Sequence, residues 1–188
     1  MSQQQELTSR DAPMAPAPMR YNADGTAAWD AMWDTFCVLA LEGGPRHRAT
    51  LLRAEPASDT ATESYRFAVA EIIRGVGLVS GLSGAPAEPG WIKVTCHSAG
   101  MAHWLAEAIV EENVEARASG VSLSIPVGAS YTLKGEIKNV ITAVAKTTHY
   151  WHEHMPVEAK QTLDVQARFG EMKARVVGWF RRGAEQRE

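Results

Sequence analysis

The stretch WIKVTCHSAGMAHWLAEAIVEEN, residues 91–113, decides the fold because its hydrophobic period changes in the middle. Apolar and polar residues alternate over 91–96, which predicts a β-strand. From Ser98 onward the apolar residues recur every three or four positions, which predicts a helix. Serine is a favoured N-cap residue, so Cys96-His97-Ser98 is expected to form the turn between the strand and the helix.

The flanking segments complete the pattern. VEARASGVSLSIPV, residues 114–127, holds two alternating runs joined at Ser119-Gly120, which is typical of a hairpin. KGEIKNVITAVAKTTHYWHEH, residues 134–154, has helical spacing. Upstream, residues 48–54 predict a short strand, and the helix that follows has cap candidates at 58–60. We therefore expect an α+β fold in the order β-α-β-α-β-β-α-α, with helices packed on a mixed sheet of about four strands.

The chain divides into three regions by composition. Residues 1–20 are rich in Gln, Pro and Ala and are expected to form a disordered N-terminal arm. Residues 21–156 are expected to form a single α+β domain, which includes a further helix capped by Asp24 or Thr26. Residues 157–188 predict a long amphipathic C-terminal helix that packs on the domain or on a second subunit.

Composition narrows the class of protein. The chain is 45% hydrophobic and 22% charged with a net charge of −3, so we expect neither nucleic acid nor membrane as a partner. Its two cysteines lie in apolar runs, which favours buried thiols in a reducing compartment. The sequence also lacks an apolar run long enough for a membrane span or a signal peptide, so the expected location is cytoplasmic.

Connection rules bring two polar clusters to one edge of the sheet. A strand–helix–strand crossover makes its two strands parallel, and the hairpin then reverses the chain. The helix over 134–154 therefore starts at the opposite edge of the sheet and runs toward the edge where strand 91–96 ends. At about 1.5 Å per residue, His149 lies roughly 22 Å beyond Lys134, whereas a six-residue strand spans about 20 Å. We therefore expect His149 and His152 beside the turn that contains His97.

The histidines expected at this edge predict a candidate metal site. His149 and His152 are three residues apart and share a helix face, and His97 could supply a third ligand and leave a position open for water. The expected cofactor would be a divalent transition metal such as zinc. The alternative is that these are surface histidines without a metal, favoured by the negative end of the helix dipole. His154 is expected to lie off the shared face unless the helix frays before Pro156.

The same turn contains candidate catalytic residues, Cys96, His97 and Ser98. A thiol before a helix N-terminus could act as a nucleophile with a histidine as base. However, alternation places Cys96 on the core face of its strand, and Ser98 is most simply an N-cap. Farther along the helix, Glu111-Glu112 fits the solvated face. Whether the protein is an enzyme stays open.

The opposite edge predicts an anion site for a small ligand. Arg46 and Arg48 precede the first strand, while Ser130 and Lys134 stand where the climbing helix begins. Backbone N–H groups and the positive dipole end at a helix start favour an anion, and the basic side chains would add to this.

Two functions from different classes follow. The first is a small cytoplasmic protein that binds a small ligand or a transition metal at one sheet edge, with or without catalysis. The alternative is a non-catalytic oligomeric interaction or regulatory module without a metal. Homo-oligomers are expected in either case, because the C-terminal helix carries a stripe of large apolar residues. The stripe consists of Val165, Phe169, Met172, Val176 and Phe180.

Overall fold

A computed structural model describes residues 19–33 and 50–185, with side chains described through Gly170 and at Met172. These residues form an α+β fold with four α-helices and one four-stranded sheet, so the predicted class is confirmed. The elements are α1 (Glu63–Ser80), β1 (Ser83–Pro86), β2 (Trp91–Thr95), α2 (Ala99–Glu111), β3 (Arg117–Ser119), β4 (Ser122–Pro126), α3 (Lys138–His149) and α4 (Val157–Glu185). Most of the predicted N-terminal arm, together with Cys37, Arg46 and Arg48, lies outside the described residues.

The sheet has the strand order β1-β2-β4-β3, and every neighbouring pair is antiparallel. The prediction of a mixed sheet is therefore wrong. β2 and β3 do point the same way, as the crossover rule requires, but β4 lies between them and pairs with both. Because the hairpin strand fills the gap between the two parallel strands, the described sheet contains antiparallel ladders only.

The first strand of the sheet is one that the sequence did not predict. Ser83–Pro86 lies in a Gly- and Pro-rich segment that reads as a loop, yet it pairs with β2. β1 is an edge strand and largely exposed, so it needs no alternation of buried residues, and an edge position tolerates Pro86. Gly81, at φ +70°, ends α1 in the left-handed conformation and turns the chain into this strand.

The predicted strand over 48–54 is wrong for the residues that can be compared. Leu52 makes only an isolated parallel bridge with Val114. Its N–H donates to the carbonyl of Asn113, and its own carbonyl accepts from the N–H of Glu115, both at 2.8 Å. This segment therefore lies beside the chain that leads into β3, and the element order over the described residues is α-β-β-α-β-β-α-α.

The helices cover one face of the sheet. Ile92 and Val94 of β2 and Leu123 and Ile125 of β4 have no exposed surface, whereas Lys93 between the first two is exposed. α1 packs on β1, α2 packs on β3 and β4, and α3 packs against both of these helices. The alternation read from the sequence therefore assigned the buried face of β2 correctly.

The long C-terminal helix is present as predicted, and its first turns pack against α2. The contact is closest at Gly100, whose N–H donates to Oδ1 of Asp164 at 2.8 Å. A Cβ at Gly100 would lie 2.5 Å from the backbone nitrogen of Asp164 and 2.7 Å from the carbonyl carbon of Leu163. The absence of a side chain at Gly100 therefore allows the two helices to touch.

We predict opposite effects for two glycine-to-alanine substitutions. Gly100→Ala should lower the free energy of unfolding by about 1–3 kcal/mol, because its Cβ meets the backbone of α4. Gly77→Ala, in α1, should raise it by about 0.5–1 kcal/mol, because the nearest atom to its Cβ is 3.9 Å away and alanine favours a helix. Urea unfolding of both variants would measure this, and stabilisation by both would contradict the docking of α4 at Gly100.

Candidate functional site

Of the two histidines predicted to lie beside the turn at His97, the structure places His152 there. β2 ends at Thr95, and α2 begins after Ser98, so His97 lies in the turn between them. The chain of α3 arrives at the same edge, where the rings of His97 and His152 are 6.3 Å apart between centroids. Both histidines are exposed. We call this region the top edge.

A π-helical turn over Tyr150–His154 sets which histidines meet. The N–H of Met155 donates to the carbonyl of Tyr150 at 3.1 Å, five residues back. This wider turn places His154 beside His149, with ring centroids 5.2 Å apart. The prediction that His154 lies off the face of His149 is therefore wrong, because it assumed α-helical spacing. The ring contacts join His149 to His154 and His152 to His97.

The metal ion predicted at these histidines stays a prediction. Within residues 19–33 and 50–185, no three His, Cys, Asp or Glu side chains are grouped closely enough to hold a metal ion. His97, His149 and His152 are therefore not a three-ligand set. The physical reason is the π-turn, which distributes the histidines into two pairs.

Burial argues against Cys96 as a nucleophile. The side chain is 5% exposed and faces the core, as the alternation predicted. Burial raises the pKa of the thiol to about 12, so the thiolate that nucleophilic attack requires is suppressed near neutral pH. Ser98 is the N-cap of α2, and its hydroxyl accepts from the N–H of Met101 at 3.1 Å. Of the three catalytic candidates, His97 alone has an exposed side chain.

Aromatic rings connect the top edge to three helices. Trp104 of α2 stacks on Tyr150 at 5.7 Å and lies 5.6 Å from Trp151, between ring centroids. Trp151 is buried, while Lys160 of α4 lies 5.9 Å above its ring and donates to the carbonyl of His152. The top edge therefore acts as a junction where α2, α4 and the π-turn pack together.

The predicted anion site at the opposite edge is filled by the protein's own carboxylate. Glu55 accepts hydrogen bonds from the N–H of Ser130 at 3.3 Å, from the Ser130 hydroxyl, and from the Ser58 hydroxyl at 3.0 Å. Ser58 in turn accepts from the N–H of Ala129 at 3.1 Å. Burial raises the pKa of Glu55, but the hydrogen bonds from Ser130 and Ser58 outweigh it, and the net shift is downward. An internal anion therefore occupies the place proposed for phosphate.

The basic residues of the predicted anion site do not form an alternative site within the part of the chain that the structure describes. Arg46 and Arg48 lie outside the described residues, and Lys134 is exposed on a π-helical turn over Leu133–Ile137. In the same turn Glu136 accepts from the N–H and the hydroxyl of Thr132 at 2.8 and 2.9 Å. Polar groups at the start of this helix therefore donate hydrogen bonds to carboxylates of the protein itself, Glu55 and Glu136.

Sequence reasoning missed a groove of about 350 Å³ between α2 and the edge strand β3. Its floor is made of small apolar residues, and its wall on α2 carries Glu107 and Glu111, one helical turn apart. Glu112, the next residue of the chain, forms an ion pair of 2.6 Å with Lys146 of α3. We call this the α2–β3 groove, lined by His103, Ala106, Glu107, Val110, Glu111, Ala116 and Ala118. Its sequence signal is a pair of small residues, Ala116 just before β3 and Ala118 within it.

The third feature is the outer face of α4. Val165, Phe169 and Met172 are 52%, 57% and 56% exposed, although large apolar side chains are usually buried. Leu163, on the side that faces α2, is partly buried against the core. The predicted apolar stripe is thus left uncovered by the described residues of the domain over these three positions. Val176 and Phe180, also in the predicted stripe, have side chains outside the described set.

We predict that Glu55→Gln lowers the free energy of unfolding by about 1 kcal/mol at neutral pH, because a charged acceptor of two hydroxyls and an N–H is lost. A carboxylate with a lowered pKa stabilises the fold above its unfolded pKa, near 4.5, and loses this effect as pH falls through its folded value. The difference should therefore vanish in acid. Urea unfolding beside the exposed control Glu153→Gln measures it, and equal stability of both variants at neutral pH would refute it.

His152 gives a second prediction about pH, in which the folded state disfavours the charged form of the side chain. Although the His152 side chain is largely exposed, partial burial of its ring lowers the pKa of its imidazole from 6.5, and so do His97 and Lys160. The unfolded chain then binds the proton more readily, so the free energy of unfolding should fall as pH drops below 6.5 and level off below the folded pKa. His152→Gln should reduce this loss, whereas His154→Gln should retain it because His152 is still present. Chemical unfolding between about pH 7.5 and 5 tests this, and unchanged pH dependence in His152→Gln would contradict it.

Comparisons with protein-family models, with curated proteins and with solved structures find no match to this chain. Among the described residues, none of the helices is both long and apolar enough to span a membrane. Proposals about function therefore depend on the contacts, burial and charge of the chain itself.

Proposed function

We propose that this chain is a non-catalytic assembly module that forms a homodimer through α4. The observation that carries the proposal is the exposure of Val165, Phe169 and Met172 on one side of that helix. Each such side chain contributes about 1.5–3 kcal/mol when it is buried rather than exposed to water. A partner that covers all three would therefore gain a substantial apolar contribution.

The spacing of the stripe suits a second helix. Val165, Phe169, Met172 and Val176 of the stripe follow one another at intervals of four, three and four residues, and Trp179, which lies beside Phe180 of the stripe, follows after three more. This is the heptad spacing that lets two helices pack side by side along a seam. α4 has 29 residues and α2 has 13, so α4 extends well past the helix on which it docks. The stripe thus has both the period and the length for a paired helix.

The charge of α4 favours a second copy in the antiparallel direction. Residues 157–171 contain three acidic and two basic side chains, whereas residues 172–185 contain four basic and one acidic. Two copies packed antiparallel would set the acidic half of each against the basic half of the other. Such complementary charges favour association and fix the orientation of the partners.

The alternative of a catalytic or metal-binding protein has less support. The Cys96 thiol is buried with a raised pKa, and the top-edge histidines lie in two pairs. The carboxylate of Glu55 accepts hydrogen bonds from Ser130, where an anion was expected. A cytoplasmic location and the absence of nucleic-acid and membrane partners stay predictions from composition.

We predict a dimer at micromolar concentration that Phe169→Asp with Met172→Asp converts to a monomer. Two charges in an apolar seam should raise the dissociation constant at least about 100-fold. The matched control is Phe67→Asp, because Phe67 is 50% exposed on α1, away from the stripe. Sedimentation equilibrium of the three full-length proteins measures the effect.

The proposal has two contradicting outcomes. The full chain could be monomeric throughout the micromolar range. Alternatively, the double variant could dimerise as strongly as wild type and as the Phe67→Asp control. Circular dichroism of each variant establishes that the monomers compared are folded.

A further inference from the structure

The π-turn brings together two histidines that an α-helix would keep apart. His149 and His154 are five residues apart, which corresponds to about 140° around the axis of a helix with 3.6 residues per turn. In the wider turn over Tyr150–His154 their ring centroids are 5.2 Å apart. Single π-turns within helices are rare and are frequent at functional sites. The pairing of these two imidazoles therefore depends on the irregular turn.

The separation of the two rings fits a shared metal ion. Imidazole nitrogens bind zinc at about 2.0–2.1 Å, so two imidazoles on one tetrahedral ion have ring centroids about 5 Å apart. The 5.2 Å between His149 and His154 matches this separation, whereas the 6.3 Å between His97 and His152 exceeds it. Of the two histidine pairs at the top edge, the pair within the π-turn thus has the spacing of a chelate.

Neighbouring rings hold His154 in position. Tyr150 lies 5.8 Å from His154 and stacks on Trp104 of α2 at 5.7 Å, between ring centroids. His154 is exposed, and His149 is half-buried at the last residue of α3. A metal site needs ligands that packing has already oriented and a path by which the ion enters. The stacked rings provide the first and the exposure of His154 provides the second.

Charge also favours this pair over the other one. Lys160 of α4 donates to the carbonyl of His152 at 3.3 Å. A metal ion between His152 and His97 would therefore lie near an ammonium group, and like charges repel. The same repulsion is weaker at the other pair, where the nearest ring neighbour of His154 outside the pair is the neutral Tyr150.

We propose that His149 and His154 together bind one divalent transition-metal ion, such as zinc, nickel or copper, with water in the remaining positions. Imidazole suits these ions, whereas magnesium and calcium prefer oxygen ligands. This two-ligand site differs from the three-ligand centre that required His97 and His152. The bound ion would fasten the π-turn at the end of α3, a role that goes beyond self-association through α4 and does not depend on it.

Calorimetric titration of the untagged full-length protein with nickel chloride tests the site. We expect one ion per chain, and no heat of binding from magnesium chloride at the same concentration. His149→Gln and His154→Gln should each weaken nickel binding at least about tenfold, since even the loss of an outer-shell partner of a metal ligand costs about 10–100-fold in affinity.

The matched controls are His97→Gln and His152→Gln, which remove the other pair and should bind nickel like wild type. Circular dichroism establishes that each variant is folded. A second measurement needs no variant: electron paramagnetic resonance of the copper-loaded wild type counts the coordinated nitrogens, and we expect two.

Three results would overturn the proposal. Wild type could bind no nickel below millimolar concentration, or both His149→Gln and His154→Gln could bind it as tightly as wild type. Finally, His97→Gln or His152→Gln could weaken binding as much as His154→Gln does, which would place the ion at the set of histidines predicted from the sequence. A copper spectrum with a single coordinated nitrogen would contradict the chelate even if a variant fails to fold.

Discussion

The contact between Gly100 and Asp164 fixes the relation between the domain and its long C-terminal helix. Two backbone N–H groups at the start of α2 need acceptors. The N–H of Met101 donates to the Ser98 hydroxyl within the same helix, and the N–H of Gly100 donates to the carboxylate of Asp164 in α4. A side chain at Gly100 would collide with the α4 backbone, so this close crossing requires glycine. Because one side of α4 is held against α2, the side that carries Val165 and Phe169 points to solvent. The exposed stripe follows directly from this contact.

The top edge supports the same helix. Trp104, Trp151 and Lys160 connect α2, the π-turn and α4 through ring stacking and a cation over an indole. His152 lies within this junction, and its lowered pKa reflects burial and neighbouring cationic groups. The carbonyl of His152 accepts from Lys160 and so contributes to the packing of α4 at this junction.

Parts of this architecture could be predicted because they follow from local periodicity. The alternation of β2 gave its buried face, and strand direction placed His97 and His152 at one edge. β1 could not be predicted, since an exposed edge strand needs no hydrophobic pattern. The π-turn was missed because its hydrogen bonds, unlike side-chain spacing, leave no mark in the sequence. The filling of the anion site by Glu55 depends on a contact 75 residues away, at Ser130.

The central claim is that α4 has two parts with different partners: its first turns pack on their own domain, and its remainder packs on a second copy. Hydrogen–deuterium exchange of the full-length protein at low and high concentration tests this most directly, because peptides resolve the two parts. We predict that residues 157–168 are protected equally at both concentrations, while residues 169–185 gain protection only at the high one. Identical exchange of residues 169–185 at both concentrations, across a range that spans micromolar, would contradict the account.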